Sequence, residues 1–285
     1  MTEHAQPAPH NPCATCGACC RSYVVPVCGY DVWLISTHQR LSPEQFVVTY
    51  TENEGSLDGF RLEPEGNLFG MALDKQGKFT QYQSCIFLMH LGDGNDRCGI
   101  YEHRPITCRE YPMALWSSTV FLRKDALCPP GSWPLREVVR PSWKLALQRF
   151  HMYFDVYREV LARWNARVVL APPGTCFRFP DYFNYMMNVY DRLALLDEEL
   201  GTEFLKEVEG SWPTLPRPSL NAEELHVHVG ELPWLDYLSR ARQVIDSFYP
   251  EIPPQPMLVL EPTAWPDTFG APNGTEEGVG LKVEG

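Results

Sequence analysis

The stretch Cys13-Ala14-Thr15-Cys16-Gly17-Ala18-Cys19-Cys20 places four cysteines within eight residues. Packing alone does not call for such density. Thiolates are soft, charged ligands for zinc and for iron–sulfur clusters, and CxxC spacing lets two sulfurs reach one metal from a single turn. Gly17, inside the run, lets the backbone turn tightly and aim N–H groups at sulfur. Adjacent side chains diverge, so Cys19 and Cys20 are expected to serve two neighbouring metal positions or one bridged position. Working outward, Cys85, Cys98, Cys108 and Cys128 follow at wider spacing. Eight thiolates would fill two four-sulfur sites.

Composition limits the alternatives. The chain has 285 residues, 44% of them hydrophobic and 21% charged, so a sizeable core is available without cysteine staples. The ten cysteines form an even count, as a disulfide scaffold would require. Against disulfides stand the adjacent pair Cys19-Cys20 and the polar, proline-containing stretch Met1 to Pro12, which lacks the features of a secretory signal. The expected compartment is therefore cytoplasmic, where thiols stay reduced. A net charge of −12 argues against a nucleic-acid partner, which needs a basic face. No apolar run reaches the roughly 20 residues of a bilayer span, so no membrane association is expected.

The fold class read from the sequence is α+β. Residues 1–12 read as a mobile lead, 13–135 as a cysteine-cluster metal-binding domain, 136–250 as a helical region packed on it, and 251–285 as a Pro- and Gly-rich tail. Within the cysteine-rich part, Tyr23 to Val27 reads as a strand and Tyr30 to Arg40 as a helix. Ser42-Pro43-Glu44-Gln45 carries a capping-box helix start. Phe60 to Leu62, Leu68 to Leu73 and Lys78 to Tyr82 read as strands separated by Glu-Gly-Asn and Lys-Gln-Gly turns, and Thr119 to Leu122 as another. Gly92-Asp93-Gly94-Asn95 reads as a turn. Ser142 to Arg167, Asp181 to Leu200 and Trp234 to Tyr249 carry apolar residues at helical spacing; their aromatic stripes read as core.

A second constellation runs from Cys98 through Arg104-Pro105-Ile106-Thr107-Cys108-Arg109-Glu110-Tyr111-Pro112. Pro105 would start a short helix and Pro112 end it, with Cys108 one turn in, where a helix N-terminus favours the thiolate. Arg104 and Arg109 are candidate cofactor-binding residues that donate to sulfur or balance its charge. The plainer reading pairs them with Glu102 and Glu110. His90 and His103 are the nitrogen-ligand candidates of this region, with His103 expected to sit exposed beside Glu102. His226 and His228 read as surface residues. No GxSxG, HExxH, P-loop or GxGxxG stands out.

Taken together, Cys13-x-x-Cys16-Gly17-x-Cys19-Cys20-Arg21, Cys85-x-Phe87-Leu88, Cys98-x-Ile100-Tyr101-x-x-Arg104-Pro105-x-x-Cys108-Arg109-x-Tyr111-Pro112 and Cys128-Pro129 resemble the YkgJ-like CxxCxxCC family, described as zinc- or iron-chelating. The resemblance covers roughly residues 13–131. It implies a metal-ligand set of Cys13, Cys16, Cys19, Cys20, Cys85, Cys98, Cys108 and Cys128. Cys28 and Cys176 lie outside the pattern and read as buried thiols. Flagellin lysine N-methylase looks like a relative through the same signature, which implies an iron–sulfur-dependent protein-modifying enzyme as a second reading beside a structural or redox accessory role. Either reading leaves room for a protein partner or substrate. Cys13-x-x-Cys16-x-x-Cys19 has the spacing of the first three ligands of a bacterial ferredoxin run, and Cys128-Pro129 could supply the fourth. The wide spread of the later cysteines favours a cluster over a simple zinc knuckle, so an iron–sulfur cluster is the favoured cofactor, with zinc or iron ions as the alternative.

Overall fold

Strand pairing in this protein is local, and the helices carry the core. The computed structural model describes residues 16–77, 83–92, 95–116, 119–129, 140–201 and 234–254. In chain order the elements are α1 (Ala18–Ser22), α2 (Gly29–Gln39), β1 (Val47–Thr51), β2 (Phe69–Leu73), β3 (Lys75–Gln76), β4 (Ser84–Cys85), β5 (Leu88–Leu91), β6 (Asn95–Cys98), α3 (Ile106–Glu110), β7 (Met113–Trp116), β8 (Thr119–Leu122), α4 (Arg140–Val169), α5 (Phe179–Leu200) and α6 (Trp234–Ser247). Each strand pairs with its neighbour in sequence to form a two-stranded antiparallel sheet. The class is mixed α+β, with the strands in the N-terminal part and the long helices in the C-terminal part. Among the described residues no helix is long and apolar enough to cross a membrane.

Several expected elements are reduced in the structure, for identifiable reasons. Tyr23 to Val27 contributes a single bridge, Pro26 opposite Ala72. The hydrogen bonds there run from Val27 N to Met71 O and from Leu73 N to Val25 O. Pro26 thus occupies the one position of the pair that needs no donor, which is where a proline is tolerated on an edge. Phe60 to Leu62 likewise forms one bridge, Phe60 to Phe69. The capping box at Ser42 is present, with Ser42 N donating to Gln45 Oε1 at 2.8 Å. It caps only one 3₁₀ turn, Pro43–Gln45, before the chain enters β1. Lys75 and Gln76, expected in a turn, pair with Cys85 and Ser84, and the reversal begins at Gly77, whose φ is +71°. Lys78 to Tyr82, Asp93-Gly94 and His226 to His228 lie outside the described residues. β5 and β6 place Leu91 opposite Asn95, framing the expected turn.

The three long helices lie close to their sequence-read ranges. In α4, Tyr153, Val156, Tyr157, Val160, Leu161, Trp164 and Val168 are buried; in α5, Tyr182, Phe183, Tyr185, Met186, Val189, Tyr190 and Leu193; in α6, Tyr237, Leu238, Ala241 and Ile245. All belong to one hydrophobic cluster with Tyr30, Val32, Leu34 and Ile35 of α2 and with Phe60, Met71 and Leu73 beside the first sheet. Tyr30 stacks on Tyr153 with ring centroids 4.1 Å apart. Polar contacts reinforce the same junction. Trp33 Nε1 donates to Asp191 at 2.9 Å, Trp164 Nε1 to the Arg61 carbonyl at 2.7 Å, and Asn165 Nδ2 to the Gly59 carbonyl at 2.9 Å. The buried Arg158 reaches Asp58 at 2.8 Å. The cysteine-rich strands therefore rest on a rigid aromatic and helical platform.

The joint between platform and cysteine region is Asp31, which is fully buried. One carboxylate oxygen accepts from Cys28 N at 3.0 Å, capping α2 itself. The other accepts from Ile106 N at 2.8 Å, capping α3 seventy-five residues later. A single side chain thus satisfies the exposed N–H ends of two helices and locks the Cys108 helix onto α2. Burial outweighs these hydrogen bonds and pushes the Asp31 carboxyl up to about 6. A carboxyl that ionises later in the folded than in the unfolded chain lowers stability as pH rises between the two values. Asp31→Asn cannot ionise. The stability advantage of the wild type over this variant should therefore shrink by about 2 kcal/mol from pH 4 to pH 7, read from denaturant unfolding. A pH-independent difference would contradict the assignment.

Candidate metal centre

Five separate segments deliver cysteines to one place. Cys16, Cys19 and Cys20 come from the first turn and α1, Cys85 from β4, Cys98 from the end of β6, Cys108 from α3, and Cys128 from the segment after β8. All seven line a single cavity of about 50 Å³, together with Val25, Leu73, Ile100, Arg104, Pro105, Tyr111 and Leu127. One water needs about 10–15 Å³ measured this way, so the space exceeds a single small ligand. Among the described residues no histidine or carboxylate joins this wall. Nor do three potential ligands form a group already closed around one ion. Cys13, the eighth candidate, lies outside the described residues.

The first turn depends on Gly17. Its φ is +61°, the left-handed region, and it precedes α1 as N-cap. A Cβ added there would stand 2.8 Å from Asp96 Cβ and 2.9 Å from its Oδ2. Glycine is needed both for the conformation and for the close approach. Asp96 is itself buried and anchors this turn to β6. It pairs with Arg21, whose other terminal nitrogen donates to the Cys16 carbonyl at 3.1 Å. It also accepts from His90 Nδ1 at 2.8 Å. His90 is thus tied to Asp96 and is not part of the cavity wall.

Cys19 and Cys20 both line the same cavity. The short helix sets the two side chains side by side, an arrangement that suits the bridged one of the two expected alternatives. The contact between the two thiols, with Arg104 nearby, lowers Cys19 to about 7 and leaves Cys20 strongly raised. Burial pushes Cys85 up to about 11 and raises Cys98 and Cys108. Cys108 does sit one turn into α3, with Pro105 as N-cap, but burial and the neighbouring sulfurs outweigh any help from a five-residue helix.

The two arginines divide their work. Arg104 lines the cavity, and its charge favours the thiolate at Cys19, Cys98 and Cys108. Its Nε donates to the Tyr101 carbonyl at 2.9 Å and its guanidinium lies 3.9 Å above the Tyr101 ring. Arg109 does not reach the cavity wall. It is buried and donates to the carbonyls of Arg104 and Glu102, bracing the loop that carries Arg104. His103 is half-buried and stacks on His38 at 3.9 Å. Cys28 is buried at the N-terminus of α2, away from the wall. Cys176 is exposed, not buried, and donates to Glu63 at 3.1 Å.

Residues 12–129 match the model of the CxxCxxCC family, described as "putative zinc- or iron-chelating domain". This part of the chain is similar to the CxxCxxCC domains that the model describes. Comparison with the curated proteins gives no match, and comparison with the solved structures gives none. Nothing in the motif pointed to Tyr23 as a site residue, and Tyr111 stood in it only as one letter of the pattern; both bear on the Cys128 segment. The donor chemistry suits the metals that the family description names, because the seven cysteines on the wall among the described residues supply thiolates that select soft or borderline cations over hard ones.

Gly17→Ala should cost about 2 kcal/mol or more, from the left-handed backbone and the contact with Asp96. The loss should appear together as a lower unfolding midpoint and reduced bound metal. A variant with wild-type stability and metal content would contradict this account of the turn.

Proposed function

We propose that the chain holds a polynuclear, thiolate-bound metal centre, an iron–sulfur cluster ahead of zinc or iron ions, in a structural or redox accessory role. The observation that carries this reading is the convergence of seven cysteines from five segments on one cavity. Four thiolates saturate a tetrahedral zinc site or one cubane cluster. A larger set on one wall favours bridged metals. The ligands in this reading are Cys16, Cys19, Cys20, Cys85, Cys98, Cys108 and Cys128, with Cys13 adjoining them in sequence.

The chain's own residues do the remaining work. Arg104 offsets the negative charge of clustered thiolates. Arg109 braces the loop that presents it, and Asp31 fixes α3 against α2. Val25, Leu73, Ile100 and Leu127 keep the surroundings apolar. A bound centre supplies charge compensation and, if it contains iron, one-electron chemistry. Binding free energy of order 10 kcal/mol becomes folding free energy for the domain. The helical platform of α4 to α6 offers a surface for a protein partner or substrate.

Protein purified without oxygen should contain iron and acid-labile sulfide and show a broad visible absorption that dithionite bleaches. Cys16→Ser and Cys108→Ser should each lose most of the bound metal and lower the thermal midpoint by roughly 10 °C or more. Stoichiometric zinc without colour would replace the cluster by a zinc centre. Unchanged metal content and midpoint in both variants would overturn the metal-centre reading.

A further inference from the structure

Two helices of the cysteine region end in tyrosines, and both tyrosines reach the segment that carries Cys128. Tyr23 is the C-cap of α1, the helix of Cys19 and Cys20, and its backbone N–H returns to the Cys19 carbonyl at 2.9 Å. Tyr111 is the C-cap of α3, the helix of Cys108, and its N–H returns to Thr107. The two rings meet edge to face with centroids 5.9 Å apart.

Their hydroxyls hold one short segment at two points. The Leu127 N–H donates to the Tyr111 oxygen. The Tyr23 hydroxyl donates to the Asp125 carbonyl at 2.7 Å. Segment 125–127 is thus gripped at an amide by one tyrosine and at a carbonyl by the other. The segment is further shaped by Arg123, which pairs with Asp125 at 2.8 Å and donates its N–H to the Pro112 carbonyl at 2.9 Å. Leu127, at the end of this segment, lines the cavity together with Cys128 and Pro129.

We propose that Tyr23 and Tyr111 are positioning residues for Cys128, holding segment 123–129 as the wall through which the metal is retained. The proposal rests on the reading of the cysteines as ligands. Cys128 lies outside the regular elements, and the segment that leads to it is held by two hydroxyls borne on the helices that supply Cys19, Cys20 and Cys108. Removing either hydroxyl frees the segment without altering a sulfur.

The test is metal release from the full-length, anaerobically purified protein to a chromophoric chelator, for Tyr111→Phe, Tyr23→Phe, Cys128→Ser and the double variant Tyr111→Phe/Cys128→Ser. Loss of an outer-shell partner should speed release about tenfold in each tyrosine variant. Thermal unfolding of the metal-stripped proteins should stay within a few degrees of wild type. In the double variant release should match Cys128→Ser alone, because the tyrosine acts through that sulfur. Wild-type release in both tyrosine variants, or multiplicative effects in the double variant, would overturn the positioning role. If Cys128→Ser itself leaves metal content and release unchanged, the reading of Cys128 as a ligand falls, and the positioning proposal with it. If Cys128→Ser speeds release and the tyrosine variants do not, only the positioning proposal falls.

Discussion

Burying thiol groups beside one another is costly unless a cation joins them. Ionised sulfurs repel and lose their hydration; neutral ones lose hydrogen bonds without gaining strong ones. The protein nevertheless gathers seven on one cavity, with Arg104 as the cation in the wall. Burial raises Cys85, Cys98 and Cys108 for the same reason. The rest of the cysteine region can be understood as the means of holding these groups together: a left-handed glycine, two short helices, several two-stranded pairs and a tyrosine-held segment.

None of those elements is stable alone. Two-stranded pairs and five-residue helices are marginal in water. They persist because α2 ties them to the aromatic core of α4, α5 and α6 and because Asp31 caps α2 and α3 at once. The platform supplies rigidity and the cysteine region supplies chemistry. A bound metal would close the remaining degrees of freedom from the inside, as metal does in other small cysteine-rich folds.

Much of this organisation was legible in the residues. The long helices were readable because their apolar positions recur over many turns, and α2 because Tyr30 to Arg40 carries the same spacing. Thr119 to Leu122 was readable from β-branched and aromatic residues. Val47 to Thr51 carried a similar signal that the capping box beside it obscured. Asn95 to Cys98 carries almost none; its strand exists because Leu88 to Leu91 is available to pair with it. For the site, the cysteines that share a cavity followed from the motif blocks, but their mutual geometry did not. The contact between Cys19 and Cys20 depends on the helix they start. The inward turn of Arg109 depends on carbonyls of its own loop. The hold on the Cys128 segment depends on two tyrosines eighty-eight residues apart in sequence, Tyr23 and Tyr111, which no local pattern relates.

The claim that all the sulfurs serve one centre is most directly tested by X-ray absorption at the metal edge of the purified protein. The account predicts a first shell of sulfur alone, near 2.3 Å if the metal is zinc, together with a metal–metal vector from a second atom in the same cavity. A shell dominated by nitrogen and oxygen, or isolated metal atoms with no metal neighbour, would contradict it.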